Sequence, residues 1–182
     1  MKYDLSMPRN DFDTADLLVR SAYRGNKLST LNLITQDVDQ LDPESKAYVL
    51  DTPDALGVTF QDKEHGTFDV WLSPNYTNWR MANPQDTLLH ELTHGYLGCY
   101  NHGQRFRRFL GRVLHHYQEL VDPDFTAASM ASHLVYRYSR GDSFAYKELE
   151  IRSYEDSARR EHDHVARTMF KEMRNAEVMA GV

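Results

Sequence analysis

Apolar residues recur along this chain with two different periods, and the change of period marks out its elements. Near the start, Asp13 and Thr14 can cap a helix carrying Leu17, Leu18, Val19 and Tyr23, with Gly25 placed to end it. The segment LSTLNLITQDVD admits either strand or helix. KAYVLD, ALGVTFQ and GTFDVWLSP are predicted as short strands. In the last of these Phe68, Val70 and Leu72 alternate with Asp69 and Trp71, His65-Gly66 supplies the turn before it, and Ser73-Pro74 closes it. The period then becomes helical. Asn83 can cap, Pro84 suits a first helical position, and Asp86 lies at the positive end of a helix running through His90 to Leu97, where Gly95 and Gly98 favour a stop. A second helix is predicted from Gly103 to about Leu120, its core face made by Phe106, Phe109, Leu110, Val113, Leu114 and Tyr117. After VDPDF an Ala-rich helix is predicted over roughly 126–139. A long helix follows from about Phe144 to Val178, with Ile151, Tyr154, Ala158, Val165, Met169 and Met173 at helical spacing.

The pattern predicts an α+β protein. A small mixed or antiparallel sheet of about three to four strands packs beside the His90 helix, and further helices follow at the C-terminus. The 182 residues suit a single domain, with a core at about 45–120 and a helical extension at 121–182, and no repeat or linker interrupts them. One cysteine excludes an internal disulfide and any four-cysteine zinc ribbon, and it points to a reducing compartment. The opening MKYDLSMPRNDF has no apolar run like a signal peptide, and no segment is long enough to span a bilayer. The expectation is therefore a cytoplasmic protein with no membrane partner. A net charge of -6 argues against general affinity for nucleic acid, while leaving room for a local basic face.

The stretch TLLHELTHGYLGCYNHGQRF carries the chemistry. His90-Glu91-Leu92-Thr93-His94 is an HExxH motif. Residues four apart on a helix project from the same face, so both imidazoles can reach one zinc ion at about 2.0–2.1 Å. Glu91 then stands close enough to take a proton from water on the metal without ligating it. Given the nine histidines of the chain, chance supplies roughly 0.02 such matches, before any demand for a capped, amphipathic helix. A catalytic zinc needs a third protein ligand. His102 is the natural one, because Gly95 and Gly98 allow a sharp turn after His94 and Gly103 permits close backbone approach. The alternative for His102 is an ordinary capping or loop histidine.

In this stretch the sequence resembles the SprT-like zinc metallopeptidases. A strand ending in LSP, a short link, DTLLHELTH, a glycine-containing turn and HGQRF opening an amphipathic helix are the parts that match, over roughly Leu56 to Tyr117. That group includes the Spartan-type proteases, which cut proteins crosslinked to DNA. The resemblance implies His90, His94 and His102 as ligands of one zinc per chain, and Glu91 as general base. It also implies a compact α+β core with a small sheet beside the active-site helix, and a protein or peptide substrate. The chain departs from many members in lacking a C-terminal zinc ribbon, in its short His94–His102 interval, and in its last 60 or so residues.

Other residues compete for roles. Gluzincins take a glutamate from a later helix as third ligand, and Glu155, with Glu148 as a looser echo, fits that pattern; such glutamates are more often ordinary solvent-facing residues of a charged helix. The Cys99 thiolate could ligate, although a small packed residue is the simpler reading. His115-His116 diverge on a helix, and His162 and His164 fall on different faces, so both pairs read as surface histidines. Arg105, Arg108 and Arg112 form a stripe on the second helix, with Arg107 adding charge. It reads either as a solvated face or as a phosphate-binding edge for DNA near the active site. Tyr96, Tyr100, Tyr136 and Tyr138 are candidates for stabilising the oxyanion of peptide hydrolysis. The reading that results is a zinc-dependent, SprT-like metallopeptidase acting on protein, with DNA as a further partner. Its rivals are a gluzincin-type peptidase and a non-catalytic zinc-containing binding protein.

Overall fold

A computed structural model describes residues 2–4, 9–23, 28–62, 65–74, 84–125, 162 and 164–175. They form an α+β arrangement: β1 (Lys2–Asp4), α1 (Arg9–Ala22), β2 (Thr30–Thr35), a 3-10 turn (Val38–Gln40), α2 (Pro43–Asp51), β3 (Gly57–Asp62), β4 (Thr67–Leu72), α3 (Pro84–Leu97) and α4 (Gln104–Leu120). A further helix, α5, covers residues 164–175. The chain divides into two compact units, Met1–Ala15 with Gly25–Asn101, and Asp16–Arg24 with His102–Val182.

The first unit is built on a four-stranded mixed sheet of order β1-β2-β4-β3. Strands β1, β2 and β4 run parallel, and β3 pairs antiparallel with β4 through a hairpin whose turn uses Gly66 at φ +66°. The ambiguous segment is thus a strand, β2, with a register shift between Leu31 and Leu33. The alternation in β4 decides the two faces. Trp71 packs with Leu41 and Val49 beneath the 3-10 turn and α2, joined by Val38, Ala55, Val58 and Phe60. Phe68, Val70 and Leu72 are buried on the opposite face, where α3 packs across β2, β3 and β4. Leu88, Leu89 and Leu92 of α3 are fully buried, as their spacing predicts.

Two expectations are corrected here. KAYVLD is the end of α2, not a strand: Asp42 caps it by accepting from the Glu44 and Ser45 amides, and Pro43 occupies the first turn. Those start signals outweigh a β-favouring Tyr-Val-Leu run that buries only Val49 and leaves Tyr48 and Leu50 exposed. Helix α1 begins at Arg9, so Asp13 and Thr14 lie inside it and not at its start.

In the second unit, α4 buries all six residues predicted as its core face, together with His116. Tyr23 meets Phe109 edge-on at 5.7 Å, and Arg20 bonds both Asp16 and Glu172, the latter on α5. Val165 and Met169 of α5 are buried and Met173 is exposed. The Ala-rich helix at 126–139 and the remainder of the long predicted helix lie outside the described residues. Among the described residues no helix is long and apolar enough to cross a membrane.

Candidate metal centre

Helix α3 carries His90, Glu91 and His94, and its termination shapes the site. Gly98, at φ +60°, follows the last helical residue; the Cys99 amide bonds the His94 carbonyl at 3.3 Å and the Gly98 amide bonds the Gly95 carbonyl at 3.3 Å. This is a Schellman stop, which needs a residue free to adopt the left-handed conformation. A side chain at Gly98 would also meet Ser29 Oγ at 2.7 Å. Gly95 has a different task from the one its sequence position suggests. It lies within α3, and a Cβ there would be 2.3 Å from Leu31 Cδ2, so its bareness lets the helix approach β2.

The stop also orients His94. Turning the chain at Gly98 brings the Cys99 carbonyl 2.7 Å from His94 Nδ1, which donates to it. The tautomer is thereby fixed with Nε2 as the lone-pair nitrogen, the arrangement that metal-binding histidines adopt. His94 Nε2 then lies 3.1 Å from His90 Nε2. Tetrahedral ligands at about 2.0–2.1 Å from one ion stand roughly 3.4 Å apart, so this pair is already near ligating separation. His102 completes the group: one ring nitrogen from each of His90, His94 and His102 lies within 4.8 Å of the others. His102 precedes Gly103, the N-cap of α4, and its ring stands edge-on to Phe106 at 4.9 Å. The three histidines could therefore hold a metal ion, and an all-imidazole donor set suits borderline divalent cations.

Glu91 is 6% exposed, with its carboxylate Oε2 2.7 Å from the Thr59 hydroxyl on β3. The same hydroxyl is 3.1 Å from the Glu91 carbonyl. Gly57, at the start of β3, makes room: a Cβ there would be 2.7 Å from Glu91 Cγ. Burial pushes the Glu91 carboxyl up to about 7, and the bond from Thr59 acts in the opposite direction. One turn before His90, burial likewise pushes Asp86 up to about 6. Neither Gly57 nor Thr59 stands out in the sequence; a polar residue at an inward position of a strand facing α3 is the signal that could have pointed to Thr59.

Of the other candidates, Cys99 contributes its carbonyl, and its sulfur belongs to neither group of metal-competent side chains among the described residues. Tyr96 is buried, whereas Tyr100 is exposed and donates to Gln61 Oε1 at 3.2 Å. Glu148, Glu155, Tyr136 and Tyr138 lie outside the described residues. Arg105 and Arg108 are exposed on α4. Arg105 donates to the Tyr23 hydroxyl at 3.4 Å, and Arg112 lies over the Phe109 ring at 5.5 Å. The histidines of the second unit are not all at the surface. Of the two pairs, His116 is 0% exposed, His115 and His162 are half-buried, and His164 is exposed.

No family model, no curated protein and no solved structure matches the chain.

Proposed function

We propose that this protein is a zinc-dependent metallopeptidase of SprT-like type, in which His90, His94 and His102 hold the ion and Glu91 moves the protons. The observation that carries the reading is the pairing of a metal-competent histidine cluster with a buried carboxylate held in place by Thr59 on the same helix turn. A purely structural ion needs a fourth ligand and has no use for a base; a three-nitrogen set leaves one position open. When bound, zinc would polarise the peptide carbonyl and lower the pKa of water at its open position toward ~7.

The remaining chemistry belongs to the chain. Glu91 accepts a proton from the attacking water and returns it to the departing amine. Thr59 fixes one carboxylate oxygen, and the bare Gly57 makes room for the Glu91 side chain against β3. Protein or peptide is the substrate. DNA is a partner in this reading through the exposed Arg105 and Arg108 of α4. The SprT-like type itself rests on HELTH followed by HGQRF and on His102 as third ligand, in place of the late glutamate of a gluzincin.

The test is Glu91→Gln, which keeps the shape and the contact with Thr59 but cannot accept a proton. It is expected to retain zinc and to lose about 10²–10⁴-fold in cleavage of an unfolded protein substrate. A variant as active as wild type would remove Glu91 from the mechanism. Zinc-loaded wild-type protein that cleaves neither unfolded nor DNA-bound protein would leave a metal-binding protein without peptidase activity.

A further inference from the structure

The second unit contains another convergence of donors. His116 and Glu119 stand three residues apart on α4, so they share a face, and His162 reaches the same point from just ahead of α5. One ligand atom from each lies within 4.8 Å of the others. The His116 and His162 rings are stacked, with centroids 6.1 Å apart and planes 25° from parallel, and His162 Nδ1 is 2.9 Å from Glu119 Oε2. We propose that His116, Glu119 and His162 form a second metal site, separate from the His90 cluster, that takes a borderline divalent transition-metal ion of the zinc class.

An ion pair between His162 and Glu119 would account for two of these residues. The third donor, His116, is 0% exposed and brings a ring nitrogen to the same point. Two neutral nitrogens and one carboxylate oxygen are a donor set that zinc accepts at about 2.0–2.2 Å. Glu119 and His162 are both about one-third exposed, so their side chains can adjust toward the buried His116. On its open side the group borders a cleft of about 660 Å³ lined by His115, Gln118, Glu119, Pro123 and His162, which gives an ion a way in and room for a solvent ligand. Bound there, the ion would tie the end of α4 to the start of α5. Sequence reading misses the site because its members are split between one helix turn and a residue far along the chain.

Zinc titration of the metal-depleted full chain tests the site, and it separates this inference from the peptidase reading. Wild type is expected to take up two equivalents, and His162→Ala one; His162 is partly exposed, so this variant should fold. In a His90→Ala/His94→Ala background one equivalent should remain. It should disappear when His162→Ala is added, and Glu119→Gln should weaken it at least tenfold. Zinc should also raise the thermal midpoint of the His90→Ala/His94→Ala protein and leave that of the His90→Ala/His94→Ala/His162→Ala protein unmoved. Equal zinc content in wild type and His162→Ala would overturn the proposal. A chain that binds a single zinc, lost with His162→Ala and kept with His90→Ala/His94→Ala, would support this site while sinking the peptidase centre.

Discussion

Asp86 shows most directly how burial sets the behaviour of one residue. As an acid in the first turn of α3 it gains from the helix dipole, an effect worth about 0.3–1 kcal/mol. Burial opposes that gain and wins: the carboxyl is pushed from 3.8 up to about 6, and Oδ1 has no hydrogen-bond partner among the described residues. Because the folded value lies above the unfolded one, the folded state holds the proton more tightly. Its stabilising contribution is full below pH ~4 and is lost as pH rises through about 6. Asp86→Asn should therefore raise unfolding free energy at pH 7.5, by on the order of 1–3 kcal/mol, with the gain fading to nothing near pH 4. Chemical denaturation of both proteins at the two pH values checks this. A destabilised variant at pH 7.5 would mean that the charged carboxylate is held by a partner. The sequence marks Asp86 as a helix-start acid and Glu91 as a base, since both identities follow from motif and spacing. It is silent on the depth at which each sits, and on Thr59 and Gly57, because these depend on which strand packs over α3.

At the scale of elements, what was legible is what local signals decide without a rival. Pro84 starts α3, Gly98 ends it, and the six-residue apolar face of α4 is buried as its period requires. Where two local signals compete, sequence alone picks badly. In α2 the Asp42-Pro43 start prevails over strand-forming residues, and β2 becomes a strand because Leu31, Leu33 and Ile34 are buried between neighbours. The α3 stop also assigns roles within the loop that follows. His102 contributes a ring nitrogen to the cluster, whereas Cys99 contributes only backbone. His102→Ala should accordingly lower zinc affinity of the His90 cluster nearly as much as His94→Ala, while Cys99→Ser leaves it unchanged, because any residue supplies the carbonyl. Zinc competition with a chromophoric chelator, carried out in the His162→Ala background, reads this site alone. Zinc loss in Cys99→Ser would make the thiolate a ligand. Zinc retained by His102→Ala and lost by Glu148→Ala or Glu155→Ala would move the chain to the gluzincin pattern.

At the scale of the whole molecule, the net charge of -6 sets a field that repels a polyanion, so any affinity for DNA has to come from a local concentration of positive charge. The stripe on α4 is smaller than its sequence suggests. Arg105 and Arg108 are exposed, but Arg112 is half-buried with its guanidinium over the Phe109 ring, where it contributes to packing as well as charge. Two exposed arginines neutralise about two phosphates, and each contributes close to -0.9 to the slope of log affinity against log salt. Duplex DNA is therefore expected to bind weakly, with a slope of about -2 that approaches zero in Arg105→Ser/Arg108→Ser. Leaving Arg112 in place keeps that comparison free of lost packing against Phe109, which a triple substitution would mix in. Fluorescence anisotropy of a labelled duplex across a salt series measures both slopes. If the two proteins behave alike, the stripe is a solvated helix face and the DNA part of the proposal falls, with the part that rests on His90, Glu91 and His94 untouched. A wild-type slope much steeper than about -3 would instead require basic residues beyond this helix to reach the phosphates, since α4 has too few exposed charges to produce it.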